Sequence, residues 1–248
     1  MIRTLFFAVG LAAAVAAPVH AETVSLNGST TVANALVMPN KAQIESASGH
    51  QIAVVGNGSQ RGLVDLMAGR AQIAMISAPL EEEARKINAK EPGAIDPSRL
   101  KTHLVGETRV AFAVHPTNKV RVLSNAQVAD ILSGKIKNWK DVGGDDQPIV
   151  VVAAQPGDGV RSMVESSLLK GGELAKDARA MSNALQIAKV VAQVPGAIGI
   201  MASASLDSSV AELKSDGAIA QPLILVTTGE ESAAVRQVIE AVAKIGKS

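Results

Sequence analysis

Cysteine is missing from all 248 residues, tyrosine is missing too, and aromatic side chains make up only 2%. Without cysteine no disulfide can staple the fold, so burial alone must hold its core. A lipid anchor attached through cysteine is excluded for the same reason. Phe6 and Phe7 fall in the opening segment, which leaves Phe112 and Trp139 for the rest of the chain. Sugars, aromatic metabolites and single-stranded nucleic acid are usually stacked on aromatic faces, and this chain has almost nothing to stack with. Its ligand is therefore expected to be small and held by hydrogen bonds. A dominant charge is lacking as well: 24 Lys and Arg stand against 23 Asp and Glu. That balance gives no bulk electrostatic case for nucleic acid or an anionic membrane.

One long apolar run is present, and it stands at the start. Arg3 precedes the run Leu5–Ala17, and Val19-His20-Ala21 has the small-residue pattern of a cleavage site. This is the layout of a secretory signal peptide, and the run is short for a bilayer span. Residues 1–21 are expected to be removed after Ala21, leaving a soluble, periplasmic, monomeric protein of about 227 residues. That length suffices for one large or two small domains.

Strand-like and helix-like segments alternate along this remainder. "TVSLNG" reads as a strand, and residues 31–46 as a helix interrupted at Pro39. "HQIAVVGNG" is a second strand, and "SQRGLVDLMAG" a helix with Leu63, Leu66 and Met67 on one face. "AQIAMIS" is a third strand, and "EEEARKINAK" a charged, solvated helix whose acidic start favours the helix dipole. "THLVGETRVAFAVHP" is one long extended segment, followed by a helix capped by Ser124 and closed by Gly134. "PIVVVAA" is a strand, "GVRSMVESSLLKG" and "NALQIAKVVAQV" are helices, "AIGIM" and "PLILVT" are short strands, and a last helix starts near Glu231. Continuous apolar strands alternating with helices predict an α/β fold, with mostly parallel sheets covered on both faces. The long segment around Val105–His115 has the length to cross between two lobes. The expected division is 22–107 with 203–248 for the first lobe and 108–202 for the second.

Glycine and hydroxyl residues crowd the strand-to-helix joints. Gly28-Ser29-Thr30-Thr31 stands at the first, Gly58-Ser59 at the second, Ser77 after the third strand, and Gly157-Asp158-Gly159-Val160-Arg161 after "IVVVAA". A helix N-terminus exposes unpaired N–H groups and a partial positive charge. Glycine admits a close ligand, and a hydroxyl adds a donor, so each joint suits an oxyanion. Ser29 or Thr30 capping its own helix is the ordinary alternative for a single joint. Ligands of open α/β sheets bind beyond the carboxyl ends of the strands, where all four joints lie, and the repetition favours one shared anion pocket. Arg161 is then expected to clamp the anion through a charge-assisted pair, with an exposed surface arginine as the alternative.

Nearly the whole chain after residue 21 resembles the periplasmic phosphate-binding proteins of ABC transporters. The matching stretches are "GSTTV" at Gly28–Val32, "GNGSQRGLVDLMAGRAQIAMISAPL" at Gly56–Leu80, "ILSGKIKNWKDVGG" at Ile131–Gly144 and "VPGAIGI" at Val194–Ile200. The resemblance implies a two-lobed, hinged type II binding-protein fold that encloses inorganic phosphate, or a similar oxyanion, without metal or cofactor. It also implies delivery to an ABC transporter permease. Carried over position by position, the ligand-binding residues are Gly28, Ser29, Thr30, Thr31, Gly58, Ser59, Ser77, Asp158, Gly159 and Arg161. The third loop departs from the family's Gly-Ser-Gly-Thr, because Asp158 and Val160 stand where hydroxyls are common. Asp158 has three readings: acceptor of the proton of a monohydrogen oxyanion, cap of the following helix, or repeller of anions that signals a changed ligand.

Other classes find less support. His50, His103 and His115 have no short metal-ligand spacing, and no G-x-S-x-G elbow surrounds Ser59. A phosphate-ester hydrolase is therefore the weakest alternative. A periplasmic sensor that hands its closed form to a signalling partner has the same sequence expectations as a transport protein. Asn27-Gly28-Ser29 and Asn57-Gly58-Ser59 match glycosylation sequons, but both fall where the pocket is expected. Trp139, in the "NW" turn, is expected away from the cleft.

Overall fold

A computed structural model describes residues 21–246. The expected signal peptide lies outside the described residues except for its last position. Chain order begins with β1 (Thr23–Gly28), α1 (Thr30–Val32), α2 (Lys41–Ser48), β2 (Gln51–Gly56), α3 (Ser59–Met67), β3 (Ile73–Ile76) and α4 (Leu80–Asn88). The long strand β4 (Leu100–Val114) follows, then β5 (Val122–Leu123), α5 (Asn125–Leu132), β6 (Val150–Ala154) and α6 (Gly159–Ser167). The chain closes with β7 (Arg179–Met181), α7 (Ala184–Gln193), β8 (Ala197–Ala202), β9 (Ala211–Ser215), β10 (Ala220–Thr228) and α8 (Ala233–Gly246).

Among the described residues ten strands join in one sheet, with the main order β2-β1-β3-β10-β4-β8-β6-β7. β2, β1 and β3 are parallel, as are β8, β6 and β7, and β10 and β4 run antiparallel between the two trios. Each trio is one lobe. β4 serves both: residues 100–109 pair with β10, and residues 110–114 pair with β8. The expected long crossing segment is therefore present. Short strands that sequence periodicity does not reveal, β5, β7 and β9, complete the sheet.

Strict alternation puts opposite faces of each strand into different cores. Ile73 and Met75 of β3 join Val24, Leu26 and α8, whereas Ala74 and Ile76 join α3 and α4. In the second lobe Val151 and Ala153 face Trp139 and α5, whereas Val152 and Ala154 face α7. Both halves of the sheet are thus covered on both faces, as continuous apolar strands require. Trp139 is buried in the second lobe's core, and its indole Nε1 donates to Gly196 O at 2.9 Å.

Two local differences from the sequence reading have physical causes. The expected helix 31–46 divides into α1, a wider turn at Ala33–Val37 with Met38 N donating to Ala33 O, and α2. Pro39 lacks the N–H needed to carry one regular helix through. The β9 strand pairs with Phe112–Val114 of β4 and with β5, and Leu213 and Ile219 enter the second lobe's core. The capping predicted for α5 is present as a full box: Ser124 Oγ accepts from Gln127 N, while Ser124 N donates to Gln127 Oε1.

Candidate anion site between the lobes

Three helix N-termini meet at the carboxyl ends of β1, β2 and β6. Ser29 caps α1 by accepting from Val32 N at 3.3 Å, Gly58 precedes α3, and Asp158 caps α6. Gly28 can hold this place only as glycine. Its φ is +133°, and a Cβ would stand 2.2 Å from Met75 O. The loops lock together behind the site, where Asn57 N and Gly58 N both donate to Gly28 O at 2.9 Å.

Ser29, Ser59 and Ser77 form one buried hydroxyl cluster. Ser29 Oγ donates to Ser77 Oγ at 2.8 Å, and Ser59 Oγ accepts from Ser77 N at 3.3 Å. Gly159, the first residue of α6, presses on this cluster from the second lobe. A Cβ there would lie 2.1 Å from Ser77 Oγ and 2.5 Å from Ser59 Oγ. Beside it, Thr30 Oγ1 stands 3.5 Å from Asp158 Oδ2. Thr31 is buried behind Thr30, and together with Asp158 both line a cavity of about 20 Å³. A wider cleft of about 470 Å³ opens alongside, lined in part by Thr30, Gly58, Gln60, Arg61 and Asp158.

Asp158 divides its two oxygens. Oδ1 accepts from Val160 N at 2.9 Å and from Arg161 N at 3.4 Å, which is a helix cap. Oδ2 faces the first lobe. Burial between the lobes pushes this carboxyl above its ordinary value, against the opposing pull of the two backbone donors and Thr30. Cap and acceptor are therefore compatible readings of one side chain.

Arg161 stands elsewhere than the clamp expected of it. Its Nε donates to Glu165 Oε1 at 2.7 Å and its Nη1 to Ala154 O at 3.3 Å. Glu165 lies one helical turn on, so the guanidinium is held in an i,i+4 ion pair. Across the lobes, Lys86 Nζ donates to Glu165 Oε2 at 2.8 Å, so one glutamate joins two cations from both sides of the cleft.

Other residues of the closure come from the charged start of α4. Glu83 is fully buried, and its Oε2 accepts from Gln60 Nε2 at 3.1 Å and from Ser162 Oγ of the second lobe at 3.3 Å. Its Oε1 is buried without a partner. Burial raises the Glu83 carboxyl to about 7, opposed by Gln60, Lys86 and Ser162 and reinforced by Asp158. The triplet Glu81-Glu82-Glu83 reads as solvated, but Leu80, Glu83, Ala84 and Ile87 follow the 3.6-residue period of a buried face. That spacing is the signal that distinguishes Glu83 from its neighbours.

Two α/β lobes joined by a shared long strand, with donor-rich helix ends facing across the gap, define the type II binding-protein fold. The model of the PBP superfamily domain matches residues 13–245, and the chain belongs to that superfamily. It is 31% identical over 196 residues to the phosphate-binding protein PstS of Bacillus subtilis, covering 79% of this chain and 62% of that one. The chain thus spans less than two thirds of the length of that relative. A Clostridium perfringens structure described as a phosphate ABC transporter substrate-binding protein with bound phosphate superposes with a TM-score of 0.76 at 25% identity. That match covers 89% of this chain and 92% of the other. An ABC-type phosphate transport receptor from Vibrio cholerae shares the fold with a TM-score of 0.68 at 24% identity, covering 89% and 93%.

Proposed function

We propose that this protein is a periplasmic solute-binding protein that encloses a small tetrahedral oxyanion, phosphate first, between its lobes and passes it to an ABC transporter permease. The observation that carries the reading is the convergence of Ser29, Ser59 and Ser77 with the N-terminus of α6 across the cleft. First-turn amides and hydroxyls supply donors and partial positive charge without a metal or cofactor. Gly28, Thr30, Thr31, Gly58, Asp158 and Gly159 complete the proposed ligand shell. Arg161 contributes from its pair with Glu165. No catalytic role is assigned to any of these residues. The phosphate named for the Bacillus and Clostridium proteins agrees with this donor set.

The lobes are taken to divide at Arg109/Val110 and again at Ile219/Ala220, because β9 pairs within the second lobe. The protein acts as a monomer, exported by a signal peptide that ends at Ala21. Asp158 Oδ2 sets the selectivity. When ionised, this carboxylate only accepts, so it welcomes the hydroxyl of monohydrogen phosphate or arsenate and repels fully ionised sulfate.

Calorimetric titration of protein freed of ligand by unfolding and refolding tests the reading. Phosphate and arsenate are expected to bind at micromolar concentrations or tighter, with sulfate silent. Absence of heat from all three overturns it. Ser59→Ala removes one donor from the cluster and leaves Ser77 N without its acceptor. We expect phosphate binding about tenfold weaker or more, the loss of one charge-assisted hydrogen bond. Unchanged affinity in this variant removes Ser59 from the site.

A further inference from the structure

The tripeptide Asn-Gly-Ser occurs twice, at residues 27–29 and 57–59. The proposed site uses both glycines and both serines and leaves both asparagines unexplained. Both amides turn to one carboxylate: Asn27 Nδ2 and Asn57 Nδ2 each donate to Asp65 Oδ2 at 2.9 Å. Asp65 is a buried residue of α3, and its Oδ1 accepts from Arg70 Nε at 2.9 Å. Burial pushes the Asp65 carboxyl up, but the two amides and Arg70 outweigh burial and hold it below its ordinary value. The carboxylate is therefore ionised and strongly accepting. These bonds also exclude the sequon reading, since both acceptor amides are already committed inside the fold.

We propose that Asp65 is a positioning residue that sets the register between the two hydroxyl loops, holding Ser29 and Ser59 at the spacing with which they meet Ser77 and Gly159. Each asparagine stands directly before a glycine in a positive-φ conformation, Gly28 at +133° and Gly58 at +97°. Glycine is permissive, so it leaves the direction of the following serine undetermined. A carboxylate that holds both preceding side chains removes that freedom at two joints at once. The backbone cooperates. Gly62, on the same helix, packs so closely on the end of β1 that a Cβ would lie 2.5 Å from Asn27 O and from Gly28 Cα.

The test begins with ligand-free protein, so the loop register is read independently of the anion reading on which the affinity effect rests. In nitrogen-15 spectra Asp65→Ala is expected to shift the amides of Ser29 and Ser59 together and to speed hydrogen exchange at Gly58 about tenfold or more. Asp65→Asn keeps one acceptor oxygen, folds with less disturbance, and is expected to restore part of both effects. With inorganic phosphate as probe, Asp65→Ala is expected to weaken binding about tenfold or more. Adding Asn27→Ala or Asn57→Ala to Asp65→Ala is expected to cost little further, because the three side chains act as one unit. Additive losses, or loop amides unmoved in Asp65→Ala, overturn the brace. If the unaltered protein takes no phosphate, the anion reading falls, and the amide spectra still decide the register.

Discussion

Gly159→Ala is expected to weaken oxyanion binding about 100-fold or more, roughly 3 kcal/mol, in a protein that still folds. The position is the first of α6, where alanine is intrinsically the better helix former. The added carbon has no room in the closed molecule, since it would stand 2.1 Å from Ser77 Oγ, 2.5 Å from Ser59 Oγ and 3.2 Å from Ser77 Cβ. Turning both hydroxyls away sacrifices the Ser29–Ser77 bond and the acceptor of Ser77 N, at about 1 kcal/mol or more each. The remaining tight contact with Ser77 Cβ, at 3.2 Å, adds to the pressure on the closed arrangement. Calorimetry with phosphate and small-angle scattering of the free protein check this together. Wild-type affinity in a compact Gly159→Ala protein defeats it.

The second large effect is a pH dependence that Glu83 imposes on closure. Its carboxyl is raised to about 7 from an ordinary value of 4.5 in the closed form. Parting the lobes admits water to the α4 face and withdraws the Asp158 charge, which outweighs the loss of the Ser162 bond and returns the group toward 4.5. The closed form therefore binds the proton more tightly than the open one. Closure is favoured below about pH 4.5, and the advantage is lost progressively as pH rises to about 7. Across that window phosphate affinity is expected to fall by up to about tenfold per pH unit. Glu83→Gln is neutral throughout and still accepts from Gln60 and Ser162, so its profile retains only the titration of the ligand and the other groups. Measuring both proteins from about pH 5 to about pH 8 isolates the difference. Parallel profiles remove Glu83 from the closure equilibrium. Lys86 offers a check on the same latch: its pair with Glu165 crosses the cleft at 2.8 Å, and added salt is expected to weaken it only modestly because both side chains are largely buried.

Much of this arrangement was legible along the chain. Val24 and Leu26, or Leu63 and Leu66, repeat at the periods of a strand and a helix, and those local periods located nearly every long element. The joints at Gly28-Ser29, Gly58-Ser59 and Asp158-Gly159 carried their own chemistry, because a glycine and a hydroxyl beside a helix start need no distant partner to suggest an anion. β5, β7 and β9 are not legible because they are short and, unlike the equally short β3 and β6, are not continuous buried apolar runs. Their strand character comes from the neighbours they pair with.

Sequence alone therefore determined the class of fold, the crossing strand and the loops that face the cleft. Tertiary structure decided which side chains finish the site. Ser162 reaches Glu83 across 79 positions and Thr30 reaches Asp158 across 128, separations at which local periodicity carries no information. It also turned Arg161 toward Glu165, gathered Asn27 and Asn57 on Asp65, and placed β9 in the second lobe. Arg161 aside, whose partner Glu165 stands one turn on in the same helix, the physical reason is common to these cases. A residue's burial follows from its own helix or strand, whereas its partner is set by the order in which the sheet brings distant elements together.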